Sequence, residues 1–370
     1  MEITLEDLLK LNGDTPQSRL EALEHIKSLG KPRRESRSFA NNHIHTFYSF
    51  SPYSPTAAVY IAWKSGLCAA GIVDHDSVSG AMEFANAGKL LGLPTTIGCE
   101  CRVDMSATKL AGRRINDPDQ PSIAYVAMHA IPPDKLDHVD NFFAPRRKLR
   151  NERNAKMCER LSLITKPLGI NIDFESDVLP LSHAAEGGSI TERHILFALV
   201  KKLLELPEPQ KVLETLGVRQ KISSEYSLLE CLKSRFVERF YIPATDECPT
   251  VDEFLELCRA VGAIPTYAYL GDIPDDSHSD KKPQCYEDRY LDELFGELKR
   301  LGFEGVACMP SRNSKAQLER LSALCHEYQL LEIGGEDINS PDQPFINDSI
   351  DKKTLERFTE STMKLIGRTK

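Results

Sequence analysis

The sequence predicts an α/β fold, a barrel of strands and helices interrupted by a helical insertion. Three observations carry that prediction. Strand-like and helix-like segments alternate from Asn41 to about Met105 and again from about Thr250 to Asn339. Charged residues gather where the apolar strand segments end, which is where barrel strands present their functional groups. The chain has 370 residues, within the range of one such barrel carrying insertions.

Residues 1–38 read as a helical lead-in, LEDLLKLN and QSRLEALEHIKSLG, stopped by Gly30 and followed by the charged link KPRRESRS. The barrel then opens with a short strand containing HIH, the turn SPYSP, the helix PTAAVYIAWKSG and the strand LCAAGIVDHD. The helix SGAMEFANAGKLLG and the strand PTTIGCECRVDM follow, and SIAYVAMHAIPP reads as a further strand. Residues 134–239 read as almost entirely helical and form the insertion, so the barrel comprises residues 39–133 and 240–370. After YIPATDECP the alternation resumes with TVDEFLELCRAVG, AIPTYAYLGD, RYLDELFGELKRLG, FEGVACMP, SKAQLERLSALCHEYQ and LLEIGGEDIN. The tail TMKLIGRTK reads as a frayed end.

Composition narrows the function classes. Hydrophobic residues make up 41% and charged residues 27%, values of a compact globular chain rather than a fibrous or disordered one. At this length folding buries about three quarters of the unfolded surface, so a metal would serve chemistry rather than hold the chain together. Forty-six Lys and Arg against 55 Asp and Glu leave a net charge of −9, which disfavours binding along a nucleic-acid duplex. The longest apolar stretch, Ala57 to Val73, is interrupted by Lys64, Ser65 and Gly66, so no membrane span is expected. Ten scattered cysteines without a CxxC pair, and an acidic start unlike a secretory leader, point to a reducing cytoplasm.

Three constellations carry chemistry. His43 and His45 are two apart, so on a strand both imidazoles leave the same face and can reach one ion. Alone, the pair is a weak signal that reads better as two surface imidazoles in a polar segment. In IVDHDSVSG an apolar strand runs into Asp74, His75 and Asp76; Asp76 or Ser77 can cap the next helix, but capping leaves Asp74 and His75 unexplained. In IGCECRVD, Glu100 sits on the strand face opposite Cys99 and Cys101. A buried lone carboxylate is unfavourable unless paired or metal-bound, whereas the cysteines read as small buried hydrophobes.

The order HxH, DHD and GxE, closing three successive βα units over residues 41–105, resembles the polymerase and histidinol phosphatase (PHP) family of metal-dependent phosphoesterases. ERNAKMCERL, SITERHILFALV, AIPTYAYLGD and LLEIGGEDINSP extend the resemblance toward the nucleotide and oligonucleotide phosphoesterase branch. That branch implies a distorted (β/α)7 PHP-type barrel with a helical insertion. It assigns His43, His45, Glu100 and Asp337 to a first metal site, Glu100 bridging to a second ion. His194 matches the inserted-helix ligand of the second site, whose strand position is Tyr125, with His129 four residues on as a substitute. The sequence departs from the family pattern at Phe50, Tyr125, Tyr269 and Asn339.

The resemblance implies a hydrolase cleaving a phosphoester with a metal-activated water, one or two Mn²⁺, Fe²⁺ or Zn²⁺ ions per chain, and a small phosphorylated substrate. A bisphosphorylated nucleotide or the end of a short oligonucleotide is its expected form. His75 would orient the substrate or protonate the leaving oxygen, and Asp74 would orient a ligand from behind. Arg193, adjoining His194, is the expected phosphate contact; Arg150 and Arg153 in RRKLRNERN are weaker candidates, since a charged helix face is usually solvated. The four departures support an alternative, a catalytically weakened barrel serving as a ligand-binding or regulatory module. Oligomeric state has no signature in the sequence.

Overall fold

A computed structural model describes residues 3–30, 39–215, 223–272, 286–347 and 350–369; the link KPRRESRS lies outside the described residues. The lead-in forms two helices, α1 (Leu5–Lys10) and α2 (Pro16–Ser28). The first barrel segment follows as β1 (Ala40–Ile44), α3 (Pro55–Lys64), β2 (Ala69–Ile72), α4 (Ala81–Leu91), β3 (Thr95–Asp104) and β4 (Ile123–His129). The helical stretch contains α5 (Leu136–Thr165), α6 (Glu192–Leu204), α7 (Pro209–Thr215) and α8 (Glu225–Phe236). The chain then returns through α9 (Val251–Val261), β5 (Ile264–Tyr269), α10 (Leu291–Leu301), β6 (Gly305–Cys308), α11 (Lys315–Glu327), β7 (Leu331–Gly334) and α12 (Lys352–Arg368).

The seven strands form one sheet in chain order. Their residues are nearly all buried, as strands must be when one face lines a barrel and the other lies under helices. The pairs β1–β2, β2–β3, β5–β6 and β6–β7 are parallel, as the alternation predicts, but β4 runs antiparallel to both neighbours. Residues 105–122 contain no helix, and an antiparallel return needs no crossover helix. Asn116 in that loop spans the join: its Oδ1 accepts from the Tyr125 N–H at 2.8 Å, and its Nδ2 donates to the Ala268 carbonyl at 2.6 Å.

The barrel nearly closes between β1 and the segment after β7. His45 donates its N–H to the Ile338 carbonyl at 3.0 Å, and Ile338 donates back to His43 at 3.1 Å. Deeper in the seam, side chains replace the ladder: Asn41 Oδ1 accepts from the Glu336 N–H, and Asn42 Nδ2 donates to the Gly334 carbonyl. The two asparagines, poor strand formers by composition, are therefore what satisfies the backbone where the sheet meets itself. The C-terminal segment corrects the expectation of a frayed end. In α12, Thr354, Phe358, Thr362 and Leu365 are buried on one face, and Thr362 Oγ1 accepts from Asn42. Gly334 is required beneath it, because a Cβ there would meet the Phe358 ring at 2.2 Å.

The lead-in is anchored through a buried bidentate pair, Arg19 Nη2 to Glu83 Oε2 at 2.6 Å and Nε to Oε1 at 2.9 Å, with Thr56 also donating to Glu83. The helical stretch has its own apolar cluster, including Met157, Leu161, Leu199, Leu232 and Phe240, into which Phe50 reaches from the barrel side. Among the described residues, no helix is long and apolar enough to cross a membrane.

Candidate metal centre and adjoining chamber

His43 and His45 leave the inner face of β1, Glu100 leaves β3 beside them, and Asp337 follows β7 at the seam. All four are buried or nearly so. Glu100 Oε2 lies 3.7 Å from His43 Nε2 and 3.6 Å from His45 Nε2, and Asp337 Oδ1 lies 3.5 Å from His45 Nε2. Ligands about 2.1 Å from one tetrahedral ion stand about 3.4 Å from each other, so this spacing suits a shared cation better than direct hydrogen bonds. His43, His45 and Glu100 together meet the proximity expected of a metal-ligand group, and their imidazole and carboxylate donors suit a divalent transition ion.

The electrostatics are those of a site built for positive charge. Burial works against ionisation of Glu100, yet the facing His43 and His75 imidazoles hold its pKa down at about 2. Burial also opposes a charge on His43, but Glu100 raises its pKa; in His45 burial prevails and lowers it.

Asp74 touches none of the proposed ligands directly. Its Oδ1 accepts from the Ser49 hydroxyl and from the Thr46 N–H, each at 2.6 Å, and its Oδ2 accepts from the Thr46 hydroxyl at 2.6 Å. Ser49 Oγ in turn lies 3.2 Å from His45 Nδ1. The carboxylate thus fixes the imidazole through one hydroxyl, an indirect form of the expected role. In the sequence Ser49 reads either as a turn residue or as one that shapes the pocket, and no local pattern separates it from the neighbouring serines.

His75 stacks on His45 with ring centroids 4.6 Å apart and places Nδ1 3.2 Å from Glu100 Oε2. Burial pushes its pKa well down. Asp76 does not cap α4, whose N-cap is Gly80 without a side-chain bond. It has the left-handed φ of 46° and pairs with Arg150 at 2.7 Å, a conformation Asp adopts more readily than most side chains.

The structure does not bring His194 into the cluster. Its Nδ1 accepts from the Thr191 N–H at 3.1 Å at the start of α6, and its ring packs edge-on against Phe50, 5.0 Å between centroids. Phe50, with a φ of 96°, belongs to the apolar cluster of the helical stretch and holds the imidazole there. This corrects the ligand role that the resemblance implied for His194. His129 pairs across β4 with Gly98, below the mouth of the barrel, and lines neither cavity; neither ring nitrogen has a hydrogen-bond partner among the described residues, and burial lowers its pKa to about 3.

Of the two tyrosines at family positions, Tyr269 donates to Asp288 at 2.7 Å and stays out of the site. Tyr125 lines it, but burial pushes its phenol well above the ordinary pKa, so it presents a neutral hydroxyl. A polar cleft over His43, His45, Glu100 and Asp337 stays open, and it adjoins a second, cation-rich chamber. His75, Tyr125, Arg193 and Lys233 line both. Arg102 and Arg150 complete the cationic wall of the chamber, and Arg193 lines both it and the cleft.

Arg102 went unnoticed in the sequence, although strand alternation from Glu100 puts it on the same inner face. The wall also carries the acidic Asp119 and Glu192, and carboxylates hold the cations: Arg102 to Glu247 at 2.7 Å and Arg193 to Glu230 at 2.6 Å, with the neighbouring Arg153 bound to Glu247 at 2.7 Å and to Glu192 at 2.8 Å. Arg102 Nε is buried with no hydrogen-bond partner among the described residues. Aligned guanidinium groups with spare donors suit a phosphate or carboxylate.

No family model matches the chain. Error-prone DNA polymerases of Mycobacterium bovis and Mycobacterium tuberculosis are 34% identical to it over 116 residues, 30% of this chain. The error-prone DNA polymerase of Corynebacterium diphtheriae is 40% identical over 67 residues, 18% of this chain. The match spans only 10% and 6% of the length of these curated relatives. Among solved structures, a proposed metal-dependent phosphoesterase from Bifidobacterium adolescentis superposes with a TM-score of 0.58 at 23% identity, covering 90% of this chain and 98% of that one. An amidohydrolase from Chromobacterium violaceum, solved with sulfate and no metal, superposes with a TM-score of 0.63 at 14% identity, covering 89% and 96%. The chain therefore shares the barrel fold of these two structures, and its HxH, DHD and GxE motifs resemble those of the PHP family.

Proposed function

We propose that the chain is a metal-dependent hydrolase of small phosphate esters, phosphorylated nucleotides being the favoured class. The observation that carries this reading is that the ligand cleft and the chamber share His75, Tyr125, Arg193 and Lys233 in their linings, which sets the cluster beside the wall of Arg102, Arg150, Arg193 and Lys233. His43, His45, Glu100 and Asp337 would hold the first ion, and Mn²⁺, Fe²⁺ and Zn²⁺ all suit the donors. Bound there, a divalent ion supplies Lewis acidity and lowers the pKa of water.

The remaining work falls to the chain. Arg102, Arg150 and Arg193 bind the phosphate oxygens, the charge that an acidic protein must provide locally. His75 keeps Nδ1 toward Glu100, leaving Nε2 to orient a substrate oxygen or move its proton. Tyr125 and Tyr241 offer the chamber aromatic surface on which a base could stack. The same reading divides the chain into lead-in, barrel and insertion at residues 38, 133 and 239, and the insertion's separate apolar cluster supports the division. The described cysteines are all free, which suits a cytoplasmic setting.

The test is elemental analysis of protein purified without chelator, followed by phosphate release from mononucleotides, bisphosphorylated nucleotides and short oligonucleotides. One or two transition-metal ions per chain and turnover of at least one ester are expected. No ion, even after incubation with Mn²⁺ or Zn²⁺, overturns the hydrolase reading in favour of a binding module, which Tyr125 and Asn339 at family ligand positions favour.

A further inference from the structure

Asp337 and Asn339 flank Ile338, whose backbone is hydrogen-bonded to β1 on both sides, so at i and i+2 both side chains project into the cleft. Asn339 Nδ2 donates to Asp337 Oδ1 at 2.6 Å. Only the nitrogen end of a carboxamide can face a carboxylate oxygen in this way, which settles the amide's orientation. Its Oδ1 is then buried in the cleft lining with no hydrogen-bond partner among the described residues. The turn beneath is held by Gln343, whose Oε1 accepts from the Asn339 and Ser340 N–H groups at 2.7 and 2.8 Å. From the other side, Arg312 lies 3.4 Å from Asp337 Oδ2.

We propose that Asn339 is a positioning residue of the metal centre, whose carboxamide locks Asp337 toward His45 and turns a fixed acceptor, Oδ1, toward a hydrogen-bond donor in the cleft. The proposal rests on the reading of the cluster as a metal site. It gives the departure from the family pattern a role: where an imidazole would be a further ligand, this chain uses an amide that cannot bind as strongly and instead sets the rotamer of the carboxylate. The unpartnered Oδ1 is the physical mark of that role, because a buried acceptor without a donor costs stability unless a ligand or water completes it.

The experiment is calorimetric titration of the chelator-stripped full chain with Mn²⁺ alone, for the parent, Asn339→Ala and Asn339→His, with thermal melting of each metal-free protein. Loss of a group that orients a ligand weakens metal binding about 10- to 100-fold, and this is the result expected of Asn339→Ala with an unchanged melting temperature. Asn339→His, whose Nδ1–H is as many bonds from the backbone as the asparagine nitrogen, is expected to restore the affinity for the first ion. If Asn339→Ala melts early, Asn339→Leu, of similar bulk, takes its place. Equal Mn²⁺ affinity in the parent and the alanine or leucine variant overturns this proposal alone, as does a folded histidine variant as weak as alanine. A parent that binds no Mn²⁺ overturns the metal reading and takes this proposal with it.

Discussion

The mouth of the barrel and the wall of the chamber beside it both concentrate buried charge, but they are assembled differently. At the mouth, His43, His45, Glu100 and Asp337 come from strand ends and the seam, and they point at a common centre with spacings too long for hydrogen bonds. In the chamber, Arg102, Arg150 and Arg193 come from β3, α5 and α6 and are closed by direct ion pairs with Glu247, Asp76 and Glu230. The first arrangement is incomplete until a cation joins it; the second is complete in itself and still offers donors outward. Charges that converge without bonding therefore mark a ligand-dependent region, and charges already paired mark one that also bears on stability.

The largest effect should come from the mouth. Glu100→Gln removes the charge that three imidazoles face, and is expected to abolish metal retention and to lower hydrolysis by several kcal/mol of transition-state stabilisation, roughly a thousandfold or more. Melting should change little, since the core does not depend on the ion. Unchanged metal content by elemental analysis would contradict the ligand assignment.

The chamber should respond in the opposite way. Arg150→Leu strands Asp76 in a buried setting, while Glu247 keeps Arg102 and Arg153, and is expected to destabilise the fold by about 3–5 kcal/mol in urea unfolding while metal content per folded chain is retained. A variant of parental stability that had lost its metal would erase the distinction between the regions.

A smaller effect sharpens the comparison from within the mouth. Ser49→Ala breaks the path from Asp74 to His45 without touching a proposed ligand, and should weaken Mn²⁺ binding about tenfold. Parental affinity in that variant would show that Asp74 serves only the turn at Thr46.

How much of this was legible in the sequence follows the same division. HxH, DHD and GxE could be read because strand alternation turns a spacing of two into a common face, and because charge at the end of an apolar strand is costly without a purpose. The ends of α12 and the polarity of β4 could not. A frayed tail and a packed amphipathic helix differ by what lies beneath them, here Gly334 and Asn42, and strand direction depends on whether a loop or a helix makes the return. His194 was misplaced for a similar reason: the motif TERHI specifies an imidazole on the first turn of α6, but the ring of Phe50, 144 positions earlier in the chain, decides where that imidazole packs.

By itself, then, the sequence determined the α/β class, the alternation that places strand ends together and the local pairs His43 with His45 and Asp74 with His75. These follow from backbone periodicity, which acts over a few residues. The resemblance carried by those motifs added Asp337, whereas only the tertiary structure decided that Ser49 connects Asp74 to His45, that Arg102, Arg150 and Arg193 share one wall, and that Asn339 grips Asp337. Each of these depends on a distance between segments far apart in the chain, and such distances are set by the closure of the barrel and the packing of the inserted helices, not by any spacing along the sequence.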